Sequence, residues 1–243
     1  LEHALKKLIA LALVAGFGSA HAAELFNNGS IITNPGSPNF SLLPAADSTI
    51  GVGANASAIL ADDFTVGATG WKVESLDFFA YQTGATGFTY TSASWSVISG
   101  ANINTGTVIA SGTSAPVTNG GLVAYRVTST GPTLTNRPVY RISVDVPDFN
   151  LAAGSYWLTW SVLGTVASGP FVPPIVGTSG NAQQSLIPAA FAPVTDGLSL
   201  RTLEVPFVVN GTVLAVPEPS TYALMIAGGL AVVGLARRRR TQG

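Results

Sequence analysis

Along the middle of the chain, apolar and polar residues alternate with a period of two. In residues 139–146, Tyr140, Ile142, Val144 and Val146 share one face, while Arg141, Ser143 and Asp145 share the other. In residues 155–163, Tyr156, Leu158, Trp160 and Val162 oppose Ser155, Trp157, Thr159 and Ser161. Residues 205–213 repeat the pattern with Val205, Phe207, Val209 and Val213, and shorter stretches occur around Trp95-Val97 and in Val123-Tyr125-Val127. Successive side chains of an extended backbone point to opposite faces, so this alternation predicts half-buried antiparallel strands. Turn clusters at Asn34-Pro35-Gly36, Ser99-Gly100, Asn119-Gly120-Gly121 and Asn210-Gly211 punctuate the strands and leave no room for a helix of 3.6 period. The expected fold is all-β: a single β-sandwich domain, jelly-roll-like, over residues 23–215. No fixed-length repeat argues for a solenoid or propeller. Residues 169–174, rich in proline, read as a long loop, and residues 180–197 as a poorly patterned, mobile excursion.

Two apolar runs at the ends break the alternation. Residues 8–18 (LIALALVAGFG) follow Lys6 and Lys7 and precede Ala20-His21-Ala22, a small-x-small cleavage site before Ala23. Residues 1–22 are therefore expected to be a secretory signal peptide that passes the chain to the secretion machinery. At the other end, Val216-Pro217-Glu218-Pro219-Ser220 precedes the apolar run 221–236 (TYALMIAGGLAVVGLA) and then Arg237, Arg238, Arg239 and Arg240. As a helix the run would span roughly 24 Å, short against a bilayer core of about 30 Å. The arginines can snorkel to the interface and, by the positive-inside rule, stay cytoplasmic, which puts the body of the protein outside. Each proline keeps the preceding residue extended, so Val216 and Glu218 stay out of the helix, which Ser220 can cap. Glu218 is then a single carboxylate on stiff backbone at the outer membrane surface.

Pro-Glu-Pro, a short hydrophobic helix and a terminal arginine cluster, in that order, resemble the PEP-CTERM sorting domain. The resemblance covers residues 216–243. It implies that the tail is recognised and removed by an exosortase, an integral-membrane, cysteine-dependent enzyme, in a host that makes exopolysaccharide. An ordinary tail anchor that is never cleaved is the plainer alternative. Ala61-Asp62-Asp63-Phe64 and the stretch 151–158 are also similar to parts of other PEP-CTERM ectodomains.

Charge and residue chemistry narrow the functional classes. The chain carries 11 Lys and Arg against 12 Asp and Glu, and six of the basic residues lie in the two end segments. The middle keeps Lys72, Arg126, Arg137, Arg141 and Arg201 against ten acids, a net −5. Five scattered cations make no basic patch, so nucleic-acid binding is excluded. Cysteine is absent, and both histidines, His3 and His21, belong to the expected leader. An exported domain without imidazole or thiol has no Ser-His-Asp or Cys-His chemistry and no ordinary zinc site.

Carboxylates and aromatics supply the remaining candidates. Asp62, Asp63, Glu74, Asp77, Asp145 and Asp148 provide enough acids for glycosidase chemistry, but their spacing singles out no pair. The simpler expectation puts Asp62, Asp63 and Asp148 in turns and Glu74, Asp77 and Asp145 on solvent-facing strand positions. No cofactor is expected. Calcium is the one possible exception, with Asp62 or Asp63 and loop carbonyls as ligands, although no EF-hand pattern is present. Trp71, Trp95 and Trp160 read as core. Trp157 lies on the polar face of its strand, where it is either covered by a loop or free to stack on a sugar ring. The expected protein is a non-enzymatic cell-surface or extracellular-matrix protein. It would be anchored transiently in the inner membrane, processed by an exosortase, and associated with exopolysaccharide. A carbohydrate-binding module and a carboxylate-dependent glycoside hydrolase are the two other readings.

Overall fold

A computed structural model describes residues 22–175 and 180–214. Most of the expected signal peptide, the Pro217-Glu218-Pro219 motif, the helix 221–236 and the arginines 237–240 lie outside the described residues.

Fourteen strands and no helix occur among the described residues. In chain order they are β1 (Ala23–Asn27), β2 (Phe40–Leu42), β3 (Val52–Gly53), β4 (Ala58–Val66), β5 (Trp71–Tyr81), β6 (Tyr90–Ser99) and β7 (Thr107–Ser114). They continue with β8 (Thr118–Val127), β9 (Pro138–Leu151), β10 (Gly154–Gly164), β11 (Phe171–Val172), β12 (Gln183–Leu186), β13 (Ala192–Pro193) and β14 (Phe207–Val213). One sheet runs β1-β14-β5-β9-β8-β2, with β3 and β11 joined at the end of β5; the other runs β13-β12-β4-β10-β6-β7. The β2–β8 pairing is parallel and the others are antiparallel.

The alternation read from the sequence is what closes the two sheets on each other. Phe78, Ile142, Val144, Phe207 and Val209 from the first sheet meet Leu60, Phe64, Trp95, Leu158, Trp160 and Val162 from the second in one core. Phe78 and Trp160 stack across the gap with centroids 5.3 Å apart, and Trp95 stacks on Phe149 at 5.7 Å. Offset stacks of this kind add about 0.5–1.5 kcal/mol to the burial itself. Two mainly antiparallel sheets facing across one apolar layer form an all-β, sandwich-like domain.

Several local expectations change. Asn119-Gly120-Gly121 lies inside β8, where the pairing with β9 slips, and Asn210-Gly211 lies inside β14 at a register shift against β5. A β-bulge and a turn share the same residues, since both need glycine's freedom or a close backbone approach. At Gly211 the approach decides: a Cβ there would collide with the Lys72 carbonyl. Val213, at the end of the strand, is exposed instead of joining Val205, Phe207 and Val209. Residues 169–174 contain β11, and residues 180–197 contain β12 and β13. Ala182 and Val194 of that segment are in the core. Backbone pairing with β4 holds β12, which therefore needs no alternation to find its place.

The first and last strands are neighbours. Ala23 pairs with Gly211, and beyond β14 the Leu214 N–H donates to the Gly70 carbonyl at 3.1 Å. Both ends of the described domain thus lie at one end of the sandwich. The turn at 67–70, the loop at 100–106 and the turn at 152–153 lie there as well.

Candidate functional site

Three places carry chemistry beyond packing: a carboxylate inside the core, a hydroxyl-lined groove, and the root of the C-terminal tail. The first lies on β4, where alternation points Leu60, Asp62 and Phe64 inward. Asp62 is fully buried. Its carboxylate accepts from Asn28 Nδ2, the Val205 N–H and the Asp63 N–H, each at 2.9 Å, and Asn28 also donates to the Val205 carbonyl at 3.0 Å. Glu204, likewise buried, accepts from the Gly180 and Asn181 N–H groups at 3.2 Å. Burial, followed by the charge of Glu204, pushes the Asp62 carboxyl up to about 8, against the opposing pull of the Val205 and Asp63 N–H groups. Burial thus favours the protonated form of Asp62, while its three N–H donors favour the carboxylate.

Asp62 and Asp63 are strand residues and not turn residues. Adjacent positions on a strand face opposite ways, so Asp63 sits on the outer face beside Trp157 while Asp62 points inward. They do not converge as a pair on one cation. Among the described residues no three His, Cys, Asp or Glu side chains gather as metal ligands.

Trp157 is buried, with 6% of its surface exposed. It packs against Ala61 and Ile103, with Ile98 and Phe191 beside it. The segment bearing Phe191 is clamped over it: Asn104 Nδ2 donates to the Phe191 carbonyl at 3.0 Å, and the Phe191 N–H donates to Asn104 Oδ1 at 2.9 Å. The loop-covered alternative is the one realised, and the tryptophan offers no sugar platform. Its cover comes from segments without alternation, which is why the strand pattern alone left both alternatives open.

Several of the other acids are held by polar partners. Asp77, expected to face solvent, is buried on the outer side of β5. Arg141 Nη2 lies 3.0 Å away, Asn210 Nδ2 donates to it at 2.8 Å, and Ser143 donates as well. Asp148 belongs to β9 instead of a turn, and Lys72 bridges it at 2.6 Å to Glu74 at 3.2 Å. Asp196, fully buried, accepts four backbone N–H groups at 2.7–2.9 Å, from Ser48, Thr49, Leu198 and Ser199. Burial would raise its carboxyl, but those donors outweigh it and hold it well below the ordinary carboxylate range. With the Arg201–Asp47 ion pair, it pins the turn that carries Leu200 at a φ of 59°.

The groove lies on the outer face of the second sheet and encloses about 330 Å³. Two rows of hydroxyls cross it strand by strand: Thr159, Ser96 and Ser111, then Ser161, Ser94 and Thr113. Ser94 Oγ and Thr113 Oγ1 are 2.9 Å apart. Such a surface can exchange hydrogen bonds with neutral hydroxylated ligands, since each hydroxyl both donates and accepts. The sequence carries the signal in alternate positions, Ser92-x-Ser94-x-Ser96, Ser111-x-Thr113 and Thr159-x-Ser161, which strand analysis treated only as a polar face.

The third place is where the domain meets its tail. Only Ala215 and Val216 separate Leu214, hydrogen-bonded to the turn at 67–70, from Pro217. A two-sheet all-β domain rooted directly on a C-terminal signal is the class of an exported, sorted protein. Residues 215–240 match the family model of the PEP-CTERM protein-sorting motif, so the chain carries that motif. The motif implies an exported protein with a C-terminal sorting signal that is processed by an exosortase. No curated protein and no solved structure matches the chain.

Proposed function

We propose that the chain is a non-enzymatic surface or extracellular-matrix protein. It is exported, held in the inner membrane by the helix 221–236, released by cleavage near Pro217-Glu218-Pro219, and retained in or near exopolysaccharide. The observation that carries the reading is the sorting motif at residues 215–240, which begins one residue after the end of the described domain. The strand order β1-β14-β5-β9 opposite β4-β10-β6-β7 supports a jelly-roll-like sandwich with β8 added beside β9, an architecture common in surface and binding domains. A glycoside hydrolase needs two acids facing one cleft. Asp62 and Asp63 face opposite ways, Asp77 is engaged by Arg141, and Lys72 bridges Glu74 and Asp148, which supports the non-enzymatic reading. The reading requires no cofactor; a calcium ion would have to rely on Asp63 and loop carbonyls, since the Asp62 oxygens are engaged.

Sorting is tested by Glu218→Ala, or by deleting the host exosortase. Either leaves an uncut, membrane-retained form, and unchanged electrophoretic mobility and fractionation would refute the account. The hydroxyl-lined groove favours a second reading, a carbohydrate-binding module for the same polysaccharide. Affinity electrophoresis in gels containing host polysaccharide then retards the domain, and Ser111→Arg, at an exposed groove position, removes the retardation. Unretarded migration with every host fraction counts against it.

A further inference from the structure

The two strand orders end in β1, β2, β13 and β7, and three of these four edges are blunted. β1 carries Glu24 and a register irregularity between Glu24 and Phe26. β2 is three residues long, and the Thr33 and Asn34 N–H groups already donate to the Phe40 carbonyl at 3.1 Å. β13 is two residues long and ends in Pro193, which has no N–H. The fourth edge is open. β7 has eight residues with neither charge nor proline. It pairs with β6 on one side, and among the described residues its main chain has no backbone partner on the other. An edge strand turns about half of its N–H and C=O groups outward, and sheets ordinarily blunt a long one.

A bulge at Ile109 leaves residues 110–114 as a regular stretch, with Val108 and Ile109 exposed beside it. No charged side chain occurs in β10, β6, β7, the loop at 100–106 or residues 115–117; the acids of this sheet are confined to β4. Residues 23–215 as a whole carry five cations against ten acids, so two copies meet at least cost through an uncharged edge.

We propose that β7 is a self-association edge, where two copies of the chain pair antiparallel about a two-fold axis. One strand then supplies donors and acceptors to its own copy, and the second sheets of both copies join into one. The antiparallel sense fits the nearest acid. Ser114 Oγ donates to the carbonyl of exposed Asp145 at 3.2 Å, so that acid marks the Ser114 end of the strand. Antiparallel pairing centred on residues 110–114 offsets the two Ser114 positions by roughly 13 Å, at about 3.3 Å per residue. That exceeds the ~8 Å screening length at physiological ionic strength, whereas parallel pairing would bring the two acids together. Ser111 and Thr113 end the two hydroxyl rows of the groove, so both rows continue into the second copy. The paired area is small against a standard interface of ~1,600 Å², which makes the dimer reversible. The pairing depends on neither the sorting nor the polysaccharide reading.

Residues 23–214 contain all fourteen strands and the core between the sheets, and they are the unit tested. Sedimentation velocity up to about 1 mM is expected to show a concentration-dependent dimer. Ser111→Glu, at an exposed position, sets like charges across the seam and is expected to raise the dissociation constant about tenfold. The chain has no native cysteine, so Ser111→Cys and the exposed control Thr69→Cys each offer one thiol. A short bismaleimide is expected to join Ser111→Cys into covalent dimers and to leave Thr69→Cys monomeric. A monomer at every concentration, an unchanged constant in Ser111→Glu, or equal cross-linking of the two cysteine variants overturns the proposal. Where Ser111→Glu does not fold, the cross-linking contrast decides.

Discussion

Burial of Asp62 makes the domain's stability depend on pH in a direction opposite to that of a typical surface acid. The folded chain holds this carboxyl near 8 against an ordinary 3.8. Between those values the native state binds a proton that the unfolded chain has released, so stability falls as pH rises. The contribution is fully present below about pH 4 and is lost as pH passes about 8, at up to ~1.4 kcal/mol per pH unit, or about 6 kcal/mol as an upper bound. Glu204 raises the effect and Asp63 adds to it, so the slope belongs to the group as a whole. Asp62→Asn isolates it. The amide mimics the protonated acid: its oxygen can keep Asn28 Nδ2 and the Val205 N–H, while its NH2 faces the Asp63 N–H. The variant is therefore expected to match the wild type to within about 1–2 kcal/mol at pH 5 and to exceed it at pH 8 to 9. Urea unfolding of residues 23–214 across this range, followed by tryptophan fluorescence, measures both curves. A wild-type stability that is flat or rises from about pH 5 to about pH 8, parallel to that of the variant, would refute the buried-proton argument.

Two further substitutions test the packing. Trp157→Ala removes a buried ring from between Ala61, Ile103 and Phe191 and is expected to cost about 3–5 kcal/mol of unfolding free energy. A normal thermal midpoint, with lost polysaccharide retardation as the only defect, would return Trp157 to the role of a ligand platform. Gly211→Ala drives a Cβ into the Lys72 carbonyl and is expected to cost about 3 kcal/mol, with faster hydrogen exchange in β14 and β1 than elsewhere. Unaltered exchange in those two strands would show that the backbone accommodates the methyl.

Much of this molecule can be read from local order in its chain. Period-two alternation in residues 139–146 and 155–163 indicated two central strands, one from each sheet, because half-buried strands must alternate to present one apolar face. The tail was legible for a similar reason: its chemistry lies in contiguous residues, and the family match at 215–240 falls where the motif, apolar run and arginines had been read. What the pattern could not decide was which polar-face positions would be covered, and by what. Trp157 and Asp77 sit on outer faces, yet both are buried by residues distant in sequence: Trp157 by Phe191 and Ile103, Asp77 by Arg141, Ser143 and Asn210. Asp62, expected in a turn, occupies an inward strand position, and its tolerance there depends on Asn28 and Val205, 34 and 143 residues away. Alternation records only the periodicity of one segment. Desolvation and hydrogen-bond satisfaction depend on which segments meet, and only the tertiary structure decides that.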